Sequence, residues 1–240
     1  SLANYTFGSL VKIGEYAFSG TAITSFSFYN IKSIGYGAFH NCSELGSVTL
    51  KNIAEIPAYA FYNTPKLVSV SFGNLTTIGD YAFAYCSKLT GFTYNKTAVE
   101  IGERAFYNCS LINPLVYVKP SSIGREAFYG SKQSVSSEFE LSDLKIVKNG
   151  AFDGVLCDTL ILENVEEIYD VPENAKVLIG TDVKAGDIDK GTTSTIYSPA
   201  GSVVSNYCLA NGVNYVEFNA EVNYFAVTGN ASAVENIEFR

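Results

Sequence analysis

The dipeptide Ala-Phe ends at Phe18, Phe39, Phe61, Phe83, Phe106, Phe128 and Phe152, so successive copies lie 21, 22, 22, 23, 22 and 24 residues apart. A fixed period in the range of ~20 to 50 residues means stacked structural repeats rather than one conventional core. Each copy carries more than the dipeptide. Five residues before the Phe stands Ile13, Ile34, Ile56, Ile78, Ile101, Ile123 or Val147, followed by glycine at Gly14, Gly35, Gly79, Gly102 and Gly124. After the Phe comes a polar turn and then an apolar ladder: Leu45, Val48, Leu50 and Ile53 in one copy, Leu67, Val70, Phe72 and Leu75 in the next. The ladder continues as Leu89, Phe92, Tyr94 and Val99, then as Ile112, Leu115 and Tyr117.

The stretches Phe26-Ser27-Phe28, Val48-Thr49-Leu50, Val70-Ser71-Phe72 and Phe92-Thr93-Tyr94 alternate apolar and polar residues, which predicts one short half-buried strand per copy. Between Ile and Phe the apolar residues fall at spacings such as Ile78, Ala82, Phe83, which suits a single helical or 3₁₀ turn with all three on its inner side. The expected architecture is an α/β solenoid, with a parallel sheet of short strands on one face and short helical or 3₁₀ turns on the other. A single coil cannot bury its own Phe and Leu, so its stability must come from its neighbours.

The cycle Ile-Gly-x-x-Ala-Phe-x-x-Cys-x-x-Leu-x-x-Val-x-Leu, complete in Ile34 to Leu50 and nearly so in Ile78 to Tyr94, resembles the BspA-type leucine-rich repeats of surface proteins from gut and oral bacteria and some mucosal protists. The resemblance covers about residues 1–168. It departs from the pattern in the extra residues Gly130 to Ser137, in the loss of the Cys corner after Cys109, and in the lack of Ala-Phe after Ile168. It implies a right-handed leucine-rich-repeat coil over 1–194. Family members often close with a tyrosine, proline, glycine-serine and helix segment, which Tyr197, Pro199, Gly201-Ser202 and Val203 to Asn211 match, with Gly212 as the stop. Residues 195–217 are therefore expected to cap the coil, and 218–240 to be a strand-forming tail or the start of a following domain. Functionally, the resemblance implies a non-enzymatic, adhesin-like module, secreted or at the cell surface, binding a host or bacterial surface protein or a glycan as a monomer. A structural spacer presenting another domain is the alternative.

The charge balance narrows the partners. With 16 Lys and Arg against 24 Asp and Glu, the net charge of -8 leaves no basic footprint for nucleic acid. No apolar run reaches the ~18 residues of a membrane helix, so membrane insertion of this segment is not expected. The chain begins at Ser1 without a basic-then-apolar leader and reads as a mature or trimmed fragment. Five cysteines leave at least one thiol unpaired, and their spacing matches no zinc pattern. Cys42, Cys86 and Cys109 share one slot, also filled by Thr21 and Thr64. A Cys86–Cys109 disulfide is sterically possible between adjacent coils, although small buried side chains suit the slot better. Cys157 falls at a core ladder position.

No catalytic, cofactor or metal constellation emerges. His40 is the single histidine, in a slot that varies from coil to coil, as a surface slot does. Asp187-x-Asp189-x-Gly191 has the start of a calcium loop, but Ser198 stands where the bidentate Glu belongs. The glycines are expected at corners needing positive φ. Two surfaces remain. One is the outward row of the strands: Ser27, Thr49, Ser71, Thr93, Val116, Glu140, Ile161 and Leu178. The other is the turn side, where Tyr16, Tyr59 and Tyr81 stand two before the Phe and Tyr62, Tyr107 and Tyr129 one after it. Tyrosine offers an apolar ring with a polar tip and is favoured at interfaces. The same rings could equally shield the neighbouring coil.

Overall fold

A computed structural model describes residues 10–95, 98–109, 119–131, 133–134, 138–180, 183–218, 225–226 and 238–239. The chain winds as a parallel β-solenoid of about eight turns. A front sheet joins Ser25–Ser27, Ser47–Leu50, Ser69–Phe72 and Gly91–Thr93 in that order. All are parallel, with Phe26, Val48, Val70 and Phe92 in register on the inner side. The strands thus fall where the alternation places them.

The coil holds more strand than the alternation reveals. The Ile slot is itself a second ladder: Glu55–Ile56, Thr77–Ile78, Val99–Ile101, Pro120–Ile123, Ile146–Val147, Glu167–Ile168 and Ala185–Gly186 form one continuous seven-stranded sheet. Its β-branched residues pair Ile56 with Ile78, Ile78 with Ile101 and Ile101 with Ile123, one per coil. Two residues suffice because each strand needs to reach only from one corner to the next. A third sheet, Glu138–Glu140, Thr159–Leu162, Lys176–Ile179, Thr195–Pro199 and Tyr215–Phe218, carries the later coils.

The expected helical or 3₁₀ turns are absent among the described residues, and the reason lies in the backbone. Counting the Phe as zero, positions −2 and +2 are left-handed in coil after coil. The −2 residues include Tyr59, Tyr81 and Arg104 at φ 58°, 55° and 51°, and the +2 residues include Asn63, Tyr85 and Asn108 at 52°, 63° and 55°. Every second N–H points out of the coil. In the coil at Phe83, the amides of Ala82, Ala84 and Cys86 bond back to Gly79, Tyr81 and Phe83 of the same coil. Those of Tyr81, Phe83 and Tyr85 bond to Glu103, Ala105 and Tyr107 of the next, each at 2.8 Å. A helix would satisfy its amides internally; this chain of β-turns, with φ > 0 at the second central residue of the turns closed by Ala82 and Cys86 as type II requires, spends half of them on its neighbour. Asparagine and glycine, which tolerate this conformation best, fill most of the +2 slots.

The inner side carries the phenylalanines as a stack. Phe18, Phe39, Phe61, Phe83 and Phe106 lie face to face at 5.2–5.4 Å between successive centroids, within 8° of parallel. Each offset pair contributes about 0.5–1.5 kcal/mol beyond burial alone. The Cys slot is a second buried column. Cys42, Cys86 and Cys109 donate to the carbonyls of Phe18, Phe61 and Phe83 at 2.9, 3.1 and 2.9 Å, and the Ser131 hydroxyl donates to Phe106 at 3.3 Å. All five cysteines are free and buried. Cys86 and Cys109 are therefore thiols occupied with carbonyls of the preceding coil, and the Cys86–Cys109 disulfide does not form.

The glycine that follows Ile serves a different end from the one expected. No positive φ occurs at Gly35, Gly79 or Gly124. A Cβ there would instead stand 2.5–2.6 Å from backbone of the preceding coil, so the slot needs glycine because backbones pack there without side chains between them.

Toward the C-terminus, the polar stretch 183–194 contributes the strand Ala185–Gly186 and buries Val183 and Ile188. The helix α1, Val203–Asn211, forms where its pattern places it. Ser202 caps it by accepting the Ser205 N–H at 3.0 Å, and Gly212 ends it at φ 72°. Helix α1 packs beside the strands Ala185–Gly186, Thr195–Pro199 and Tyr215–Phe218. Beyond it, Phe225–Ala226 and Glu238–Phe239 pair antiparallel.

Candidate interaction surface

The front sheet brings one predicted row together. Ser27 pairs with Thr49, Thr49 with Ser71 and Ser71 with Thr93, a file of hydroxyls from adjacent coils. A second file, Ser25, Ser47, Ser69 and Gly91, runs beside it in the same register, and the strand alternation contained it two residues upstream. Lys51 reaches across to donate to the Ser71 hydroxyl at 2.5 Å. The row does not stay exposed along the coils as expected. Ile161 and Leu178 are buried with Tyr197, against a partly buried Phe218, in a small apolar cluster separate from the main core. Three large apolar side chains cannot be left in water on one strand face without cost, and here they are not. Glu140 is exposed, and Val116 lies outside the described residues.

The turn side gathers the tyrosines into a ladder. Tyr59 stacks on Tyr81 at 4.9 Å and 9°, His40 on Tyr62 at 5.1 Å and 8°, and Tyr107 on Tyr129 at 5.1 Å and 10°. These separations match the ~4.8 Å between neighbouring strands, so within each pair the rings lie like coins along the coil axis, while Tyr16–Tyr36, Tyr62–Tyr85 and Tyr85–Tyr107 meet edge to face. Where a slot lacks a large side chain, a neighbour fills in. Tyr16 lies over Gly37, where a Cβ would come within 2.6 Å of its ring, and Tyr85 bridges from Tyr62 to Tyr107 across Ala84. Tyr62 and Tyr107 are half-buried, and Tyr129 is 45 % exposed. Burial among the other rings raises the phenols of Tyr59, Tyr62 and Tyr107 above the ordinary value, with the neighbouring phenols adding to it.

Sequence reasoning missed Tyr36, Tyr85 and Arg104 as members of this face because none repeats in its slot. Arg104 is the most informative. It stands at −2, where Tyr59 and Tyr81 stand in earlier coils, and its guanidinium lies 5.7 Å from the Tyr81 ring centre and 5.8 Å from that of Tyr107. It donates to the Tyr81 hydroxyl at 2.5 Å and to Glu126 at 2.6 Å. Those two hydrogen bonds raise its pKa further. Burial pushes the Glu126 carboxyl up, but the hydrogen bond and charge of Arg104 outweigh it and the net result is below the ordinary range.

Beyond Phe128 the ladder ends. The −2 slot becomes Gly150 and the +1 slot Asp153, and a cavity of about 420 Å³ opens, lined in part by Asp153, Tyr169, Asp170, Asp187, Asp189 and Tyr207. Asp170 is buried and accepts the Phe152 N–H at 2.5 Å. Burial pushes its carboxyl up to about 7, with Asp153 and Glu173 adding repulsion. Asp187 accepts from the Tyr207 hydroxyl at 2.5 Å, and Asp189 from the Gly191 N–H at 2.8 Å. The latter bond makes the Asp-x-Gly run a self-contained turn. Among the described residues, no group of three or more His, Cys, Asp or Glu is placed to hold a metal ion. His40 has rings, not carboxylates, as its recorded neighbours, and the arrangement around it is a stack. No helix among the described residues is long and apolar enough to cross a membrane.

Short parallel strands, a buried Phe and Leu column and one turn per ~22 residues define a solenoid of the leucine-rich-repeat class. The family model of the BspA type leucine-rich repeat region matches in six copies over residues 11–135 and 99–172. The chain belongs to that family. Among solved structures it is similar to a leucine rich cell surface protein from Faecalibacterium prausnitzii A2-165, at 16 % identity and a TM-score of 0.38, over 91 % of this chain and 86 % of that one. No curated protein matches the chain in sequence.

Proposed function

We propose that this chain is a non-enzymatic recognition module of a secreted or cell-surface protein, adhesin-like, which binds a surface protein or glycan along its turn face. The observation that carries this reading is the ladder of partly exposed tyrosines, with Arg104 set into it, running unbroken through the coils from Tyr16 to Tyr129. A surface this aromatic has the composition that interfaces favour. Family membership supports the surface setting; residues 195–217 act as the cap that shields the last coil, and 218–240 are a strand-forming tail or the start of a following domain.

The site residues divide under this reading. Tyr62, Tyr107 and Tyr129 carry recognition, and the Ser27, Thr49, Ser71 and Thr93 file is a second, polar face. The experiment immobilises the chain, screens mucosal proteins and glycans, and compares alanine at Tyr62, Tyr107 and Tyr129 with alanine at Ser71 and Thr93. Loss confined to the tyrosine set supports the reading; loss confined to the hydroxyl set moves the site to the front sheet. Ring-on-ring stacking favours one rival, a spacer whose tyrosines only shield the coils. It gains if a folded monomer binds nothing that the full-length protein binds.

A further inference from the structure

The turn face holds a worked example of what it can bind, because one of its rungs is not an aromatic ring but a cation. Arg104 shows the chemistry: a planar guanidinium beside two tyrosine rings, hydrogen-bonded to a phenol and paired with a carboxylate. Cation–π attraction draws the guanidinium to the rings, and a carboxylate partner fixes its orientation. Lys148 repeats the theme further along, 5.3 Å from the Tyr169 ring centre and ion-paired with Glu167 at 2.8 Å.

Past Tyr129 the same face changes sign. Gly150 removes the side chain from the −2 slot, and the +1 slot passes from Tyr107 and Tyr129 to Asp153. Tyr107 stacks on one face of Tyr129, whose 45 % exposure leaves the coil of Asp153 as its next neighbour along the column. Asp153, Asp187 and Asp189 are exposed, and among the described residues none of them is in an ion pair. Of the nearby cations, Arg125 pairs with Glu126 at 3.1 Å and Lys148 with Glu167, while Lys190 lines the cavity itself, where Asp153, Asp170, Asp187 and Asp189 outnumber it. Burial and the charges of Glu126, Glu173 and Asp189 raise the Asp153 carboxyl, as expected where carboxylates converge.

We infer that the turn face takes an extended basic segment of a partner protein, whose Arg or Lys side chains lie along the tyrosine ladder as far as Tyr129 and then enter the cavity at Gly150, between Tyr169 and the carboxylates of Asp153, Asp187 and Asp189. The inference rests on the turn face being the recognition surface and specifies its partner. Charge complementarity selects this occupant: the chain carries -8, the cavity is acidic, and the cation already in the ladder is held by the same two residue types. A neutral glycan would stack on open ring faces, whereas in the pairs Tyr59–Tyr81, His40–Tyr62 and Tyr107–Tyr129 each ring covers one face of the other. An acidic partner would meet like charge.

The test uses the whole chain and three fluorescent peptides of equal length with Gly-Arg, Gly-Gln and Gly-Glu repeats, followed by anisotropy at ~50 and ~300 mM salt. The Gly-Arg peptide should bind, with affinity falling at the higher salt. Asp153→Asn with Asp189→Asn should weaken it about tenfold, from two lost charge contacts at roughly 0.7 kcal/mol each. Tyr129→Ala should weaken it further, and the unchanged circular dichroism of each variant guards against misfolding. Equal binding of the Gln peptide, unchanged affinity in the double Asn variant, or displacement of the Arg peptide by millimolar calcium overturns the basic-segment inference. A surface ligand lost with Tyr62, Tyr107 and Tyr129 but indifferent to Asp153 and Asp189 would keep the turn face as the recognition surface while removing the basic partner. A Gly-Arg peptide bound through the aspartates with no effect of Tyr129 would also overturn the inference, since the ring is part of the proposed slot.

Discussion

Asp170 provides a sharp test of how the stack ends. In the coils at Phe18, Phe39, Phe61, Phe83 and Phe106, the Phe amide donates to the carbonyl of the alanine one coil on. After Phe152 no further Ala-Phe exists, and the Asp170 carboxylate takes the place of that carbonyl. The substitute is a charge in a buried position, and its carboxyl is raised to about 7 against 3.8 for the ordinary side chain. A folded-state pKa above the unfolded one means that the folded chain binds the proton more tightly. The stability due to the proton is complete below pH ~3.8 and is lost as pH rises through ~7. At ~1.36 kcal/mol for each tenfold change in proton affinity, the loss is on the order of 4 kcal/mol.

Asp170→Asn keeps an oxygen to accept the Phe152 amide and carries no charge. Its stability should therefore match the wild type near pH 4 and exceed it by up to about 4 kcal/mol at pH 8. Glu126 and Glu166, whose carboxyls are held below the ordinary range, act in the opposite sense in both proteins and cancel in the difference. Urea midpoints at several pH values give that difference, and exchange of the Phe152 amide reports it locally, since the terminal coils of a solenoid can open before the rest. Parallel wild-type and variant curves between pH 4 and 8 would refute the reasoning, as would an asparagine variant that is the less stable of the two at pH 8.

Phe83→Ala should cost about 3–5 kcal/mol by urea unfolding, because its ring is fully buried and stacked on both sides. Gly73→Ala places a Cβ 1.9 Å from the Lys51 carbonyl and should lower the melting temperature far more than Gly20→Ala, where only the positive φ of 68° opposes the substitution. Burial raises the Cys157 and Cys208 thiols to about 11, and all five cysteines are free. Alkylation at neutral pH should therefore be slow for the native chain and reach all five in urea, with no disulfide by mass. Cys86→Thr should be close to neutral, since Thr64 fills the same slot one coil earlier and its hydroxyl also donates to a Phe carbonyl.

The period, the front strands and the buried Ile, Phe and Leu columns were legible because burial is a property of residue type, and type repeats from coil to coil. The turn was not. Spacings of four and five fit a helical turn as well as a run of β-turns, and apolar periodicity reports which side is buried without reporting the sign of φ. The signal that separates the two was present in Gly20, Asn41, Asn63, Asn108 and Gly130 at one slot, the residues that left-handed backbone favours. The tyrosines at −2 hid the same conformation, since Tyr rarely adopts it. The second sheet escaped notice because a two-residue strand leaves no alternation to read. Arg104 and the buried Asp170 each depart once from a slot, and pattern reasoning averages such departures away. The outward positions of Ile161 and Leu178 followed correctly from alternation, but alternation is silent about what covers an outer face.

The central claim is that left-handed residues flanking each Ala-Phe join the coils and set the tyrosines outward as a ladder. The sign of φ at Tyr59, Tyr81 and Arg104, measured by NMR couplings and Cβ shifts in the folded chain, tests it most directly. Left-handed values at all three, with Tyr85 and Asn63 alike, are expected. Negative, helix-like values would turn those amides back into their own coil, remove the bonds to Asp80, Glu103 and Arg125, and contradict the account.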